Sequence, residues 1–130
     1  TGKLLVGSYS LNELNKLNVA EAVSFGPALI VNGKPTITKG DGNWGIAPRT
    51  AIGQKKDGSV ILLTIDGRST KSIGATLREV QNILLDYGAV NASNLDGGSS
   101  STMYYNGKVI NNPCDISGER KVASTFMVLP

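Results

Sequence analysis

Apolar residues fall into short runs broken by glycine-, asparagine- and aspartate-bearing turns, a pattern of strands and turns with two helical interruptions. "KLLVG" at the start reads as a short strand. Ser10-Leu11-Asn12-Glu13 then carries the S-x-x-E signature of a helix start, with Leu11, Leu14 and Leu17 on one face and Asn18 at the end. "PALIVNGK" is a strand closing on an Asn-Gly turn, and "TAIGQKKDGSVILLTIDG" is a hairpin about Asp57-Gly58. Its second arm, Val60 to Ile65, is apolar enough to predict a central strand. A longer helix follows in "IGATLREVQNILLDYG". Ile73, Leu77, Val80, Leu84 and Tyr87 form its apolar stripe, Gly88 is its C-terminal stop, and Arg78, Gln81 and Asn82 fall mostly off the stripe. "NASNLDGG" leads into a hairpin about Asn106-Gly107, and "KVASTFMVL" predicts a closing strand. The fold class predicted is α+β: a mixed, mostly antiparallel sheet with two helices packed on one side.

Length and composition narrow the chemistry. At 130 residues with 40% hydrophobic residues, the chain is long enough for one domain with its own core. The charge of +3 comes from scattered side chains, with no basic stripe interleaved with aromatics, so nucleic acid is not the expected partner. The absence of histidine removes histidine-based triads, acid–base catalysis and zinc ligation, leaving Asp, Glu, Lys, Tyr and Cys for proton transfer. The single Cys114 has no intrachain disulfide partner and no histidine to activate it. No run reaches the roughly 18 apolar residues of a membrane helix.

Polar groups gather at four strand or helix ends: Arg49-Thr50, Asp66-Gly67-Arg68-Ser69, Asn94-Leu95-Asp96-Gly97-Gly98 and Gly118-Glu119-Arg120. In an extended chain Asn94 and Asp96 point to the same side. Gly97 and Gly98 permit a sharp turn that presents backbone amides to an anion, and Ser99 and Ser100 add hydroxyl donors. Arg49, Arg68 and Arg120 suit phosphate, because a guanidinium stays charged and binds it through two hydrogen bonds. Each segment alone is also compatible with an ordinary polar turn.

Taken together, "FGPALIVNGK", "RTAIG", "DGRS", "GATLREVQNILLDYGAVNASNLDGG" and "GERKVAS" resemble, in this order, the phosphodiester glycosidase family, which includes the lysosomal uncovering enzyme and bacterial members linked to exopolysaccharide metabolism. The resemblance runs from about Phe25 to the end of the chain. It implies a hydrolase that cleaves a sugar-1-phosphodiester, of the N-acetylglucosamine-1-phosphodiester kind, outside the cell or in its envelope. It requires no cofactor, though Asp66, Asp96 and Glu119 offer oxygen ligands to Ca²⁺ or Mg²⁺. Asp96, then Glu119 and Asp66, are the expected catalytic carboxylates. Arg49, Thr50, Arg68, Asn94, Gly97, Gly98, Ser99, Ser100 and Arg120 are the expected substrate contacts. The alternative on the same fold is a non-catalytic module binding a glycan or cell-wall polymer.

Two departures from the family pattern stand out. Residues 1–130 show no counterpart of the family's upstream Asn-rich motif, so the expectation is a domain completed by an upstream portion or a second chain. The family's third glycine after Asn-Leu-Asp-Gly-Gly is Ser99 here. At a positive φ this serine would carry about 1 kcal/mol or more of strain.

Overall fold

A computed structural model describes residues 2–129. Two elements flank the start of the sheet: α1 (Leu11–Lys16) and β1 (Ala28–Val31). They are followed by β2 (Lys34–Pro35), β3 (Arg49–Lys55), β4 (Val60–Ile65), α2 (Leu77–Asp86), β5 (Ala89–Asn94), a 3₁₀ turn at Gly98–Ser100, β6 (Tyr104–Tyr105) and β7 (Lys108–Val109). The sheet runs β2-β1-β5-β3-β4 with every pair antiparallel, and β6 and β7 form a separate two-stranded ribbon. The class is α+β, as the sequence predicts.

All three hairpin turns form where the Asn-Gly and Asp-Gly pairs stand. Asn32 and Asn106 adopt left-handed backbone conformations, each followed by a glycine at positive φ. At Asp57-Gly58, the Gly58 amide returns to the Lys55 carbonyl and the Asp57 carboxylate accepts the Ser59 amide.

The centre of the sheet differs from expectation. Val60–Ile65 is at the edge, paired only with β3, and Val60 and Leu62 remain exposed. The central strand is β5, whose sequence Ala-Val-Asn-Ala-Ser-Asn has the composition of a loop. Its small residues answer a packing demand, because α2 lies close over the sheet. A Cβ at Gly53 would sit 3.2 Å from Ala89 Cβ and 3.3 Å from a Leu84 methyl. Larger side chains on β5 would push the helix off.

The longer helix starts at Leu77, four residues after the predicted Ile73. Thr76 caps it and Glu79 returns the bond to the Thr76 amide. Ile73 and Tyr87 are exposed, and the buried stripe is Leu77, Val80, Gln81 and Leu84. Gln81, expected off the stripe, is buried because its Oε1 accepts the Ile37 and Thr36 amides while its Nε2 donates to the Ile37 carbonyl. The hydrophobic core consists of Leu77, Val80 and Leu84 of α2 with Leu29, Ile30, Ala51, Ala75, Ala89 and Ala92.

The predicted first and last strands do not form. Residues 3–7 run beside β3 without ladder pairing, held where the Leu4 amide donates to Gln54 Oε1. Residues 121–129 are exposed and irregular. A strand needs a neighbouring edge for its backbone hydrogen bonds, and an apolar pattern alone does not supply one.

Candidate functional site

The start of β3 lies beside the end of β5, and backbone hydrogen bonds between the two segments continue past β5. Ala51 faces Asn94, the Leu95 amide donates to the Thr50 carbonyl and the Gly98 amide donates to the Pro48 carbonyl. These bonds bring Gly97 up against the backbone of Pro48 and Arg49. Gly97 is required here, since a Cβ would lie 2.9 Å from the Pro48 carbonyl oxygen. Gly98 has φ +59 and its missing Cβ faces the Arg68 guanidinium, 3.5 Å from both terminal nitrogens. Ser99 is absent from the positive-φ residues and lies in the 3₁₀ turn, so it carries none of the backbone strain that a left-handed conformation would impose. The one-residue departure from the family pattern leaves the turn intact.

Arg49 is 5% exposed. Its Nε donates to the Ala75 carbonyl, and its Nη2 donates to the Gly45 and Trp44 carbonyls. Three carbonyls orient the guanidinium without neutralising it. Burial lowers its pKa, and repulsion from Arg68 lowers it further, while Asp41 acts in the opposite sense. Arginine still remains protonated at any working pH. Arg68 reaches the cluster from the turn after β4 with φ +54, a left-handed conformation that costs a non-glycine residue about 1–2 kcal/mol.

The polar residues divide into those that face outward and those that hold the frame. Asp96 is exposed. Asn94 is 1% exposed, and its Nδ2 donates to the Gly26 carbonyl while its buried Oδ1 has no partner. Thr50 Oγ1 donates to Ser101 Oγ, tying β3 to the chain leaving the glycine turn. The Asp66 carboxylate accepts Asn111 Nδ2 and the Asn112 amide, and Asn111 in turn donates to the Ser101 carbonyl and accepts the Met103 amide. Asp66 thus fastens residues 101–112 to the end of β4. Asn111, missed in the sequence reading, is the hub of that fastening, and a lone asparagine after a hairpin has no signal that would reveal it.

Arg49, Thr50, Arg68, Asn94, Gly97 and Gly98 therefore meet at one corner, with Asp96, Ser99 and Ser100 on the adjoining loop. Glu119 and Arg120 stand on an exposed segment after the Asp115 turn, where Ser117 holds the Asp115 carboxylate below its ordinary pKa and Arg120 adds a smaller lowering. Among the described residues no three Asp, Glu or Cys side chains come together as a metal cage. Among the same residues no helix is long and apolar enough to cross a membrane.

The chain is similar over 81 residues to the SPbeta prophage-derived protein YomE of Bacillus subtilis, at 44% identity, covering 62% of this chain and 12% of that protein. It is 43% identical over 70 residues to N-acetylglucosamine-1-phosphodiester alpha-N-acetylglucosaminidase of Bos taurus, covering 54% of this chain and 13% of the enzyme. Among solved structures, the zebrafish N-acetylglucosamine-1-phosphodiester alpha-N-acetylglucosaminidase catalytic domain, auto-inhibited by its pro-peptide, superposes with a TM-score of 0.58 at 34% identity, covering 68% of this chain and 33% of that one. The matched part is thus about an eighth of the curated relatives' length. The phosphodiester glycosidase family model matches residues 1–129, and the chain belongs to that family.

Proposed function

We propose that this corner binds and hydrolyses a glycosyl phosphodiester, releasing the sugar and leaving a phosphomonoester on the other partner. The observation that carries this reading is the placement of two arginines at one glycine turn, with Gly97 packed on the Arg49 backbone and Gly98 beside the Arg68 guanidinium. Like charges held together favour an anion between or beside them. A phosphodiester supplies one negative charge and oxygens suited to arginine. Arg68 is the outward-facing partner and makes the principal contact, while Arg49 contributes a fixed charge from behind.

Asp96 acts as the base or nucleophile, facing solvent on the loop beside the glycine turn, and Glu119 stands second to it. Because the leaving group is a phosphate, strong protonation by a general acid is less important than in ordinary glycoside hydrolysis. Asp66 serves the site by holding residues 101–112, and Asn94 by holding Gly26. Ser99 and Ser100 lie within the same loop and supply hydroxyls to phosphate or sugar. The resemblance to the family supports work outside the cell or in its envelope, with no cofactor required. Added Ca²⁺ or EDTA tests the latter point directly.

The deciding experiment is hydrolysis of an N-acetylglucosamine 1-phosphodiester by Asp96→Asn, with Glu119→Gln alongside. Removing a positioned base lowers kcat by about 10²–10⁴-fold. Near-normal turnover by folded Asp96→Asn overturns the assignment.

A further inference from the structure

Two large aromatic residues stand at this corner without a role in the chemistry above. Phe25 and Trp44 form an edge-to-face pair, with ring centroids 6.3 Å apart and planes at 78°. Both rings stay about half exposed, at 47% and 52%. Single exposed aromatics are ordinary on protein surfaces, but this pair is tethered from beneath by two buried residues of the corner. Asn94 Nδ2 donates to the Gly26 carbonyl, one residue from Phe25, at 2.9 Å. Arg49 Nη2 donates to the carbonyl of Trp44 itself, at 3.1 Å. Phe25 also lines a cleft of about 300 Å³ that continues along Gly26, Pro27, Ser93 and Leu95.

We infer that Phe25 and Trp44 are the sugar-binding wall of this site, taking the apolar face of the substrate's pyranose ring while the arginines take its phosphate. This rests on the proposed phosphodiester reading. Two rings at near right angles make a corner with a floor and a wall. An aromatic face carries partial negative charge and attracts the weakly positive C–H groups on one face of a pyranose. Perpendicular rings also leave the sugar's hydroxyl edge free to meet the polar groups on the Asn94–Ser100 loop. The buried bonds of Arg49 and Asn94 fix both loops at their backbones, so the aromatic wall is preorganised by the residues that frame the phosphate site.

Trp44 is the sole tryptophan of the 130 residues, so its emission reports on this wall directly. The 130-residue chain is titrated with N-acetylglucosamine 1-phosphate, with N-acetylglucosamine and with inorganic phosphate. The expected result is a saturable change in Trp44 emission with both sugar-bearing probes and none with phosphate, weakened by Phe25→Leu. In hydrolysis, Trp44→Phe keeps a near-normal KM, whereas Trp44→Leu, which keeps apolar bulk and loses the ring, raises KM by about five- to tenfold with kcat little changed. Absence of a sugar-dependent change overturns the inference whether or not the chain hydrolyses a phosphodiester, and so does an equal response to phosphate. A sugar-dependent change without turnover keeps the wall and removes the hydrolase reading, so the two claims fail separately.

Discussion

At α1, the Ser10 hydroxyl accepts the Glu13 amide while the Glu13 carboxylate accepts the Ser10 amide; at α2, Thr76 and Glu79 make the same reciprocal pair. Each helix stops at a residue in the left-handed region, Asn18 after α1 and Gly88 after α2. Local chemistry is matched at both ends, yet α1 runs six residues and buries none, whereas α2 runs ten and buries Leu77, Val80, Gln81 and Leu84. A cap decides where a helix begins. What a helix contributes to the fold depends on the surface it covers, because packing of an apolar face supplies most helical stability in a protein. Only α2 lies on the sheet, so only α2 helps to hold the strand ends that frame the site.

The contrast is broken most severely at Leu84. Leu84→Ala removes a fully buried side chain above Gly53 and Ala89 and lowers unfolding free energy by about 2–5 kcal/mol. Leu11→Ala on α1, at a side chain 73% exposed, changes it by no more than about 0.5 kcal/mol. Urea unfolding of the two variants checks both values, and comparable losses would mean that α1 is covered in solution. Gln81→Leu comes next. It leaves the Ile37 amide and carbonyl without their side-chain partner and costs about 1–3 kcal/mol, despite adding apolar surface.

The smallest and most discriminating pair is the caps. Thr76→Ala lowers global stability by about 1 kcal/mol. Ser10→Ala frays α1, visible by amide exchange at residues 11–17, and leaves the urea midpoint unchanged. Hydrogen bonds from the cap residue hold each glutamate below its ordinary pKa, chiefly the Ser10 hydroxyl for Glu13 and the Thr76 amide for Glu79. A depressed folded-state pKa contributes stability above the ordinary carboxylate value, and that contribution is lost as pH falls through the depressed one. Acidification therefore weakens global stability through Glu79 and only local helix content through Glu13. Glu79→Gln removes the former dependence.

The same division runs through the rest of the molecule. The Asn32-Gly33, Asp57-Gly58 and Asn106-Gly107 turns and the Leu77–Leu84 stripe were legible because each rests on neighbours a few residues apart. β5 was illegible as the central strand because its alanines and asparagines answer to a helix pressing from above and to strands on both sides. Val60–Ile65 misled in the opposite direction, its apolar run ending at an edge with Val60 and Leu62 exposed. At the site, the sequence placed Arg49, Arg68 and Asn94 through Ser100 at element ends, and the fold joined them. It also assigned Asp66 to fastening a loop and brought in Asn111, Phe25 and Trp44, which lie far from the glycine turn in sequence.

By itself, the amino-acid sequence determined the turn positions, the cap at Ser10, the Leu77, Val80 and Leu84 positions of the α2 stripe, the absence of histidine chemistry and the likeness to a phosphodiester glycosidase. Each follows from residue identity and short-range spacing. Only the tertiary structure decided that Arg49 and Arg68 both come to the Gly97-Gly98 turn and that Ser99 turns without strain. Those outcomes depend on strand order and register, which are set by side chains packing across the sheet and under the helix, between residues too far apart along the chain for any local rule to connect.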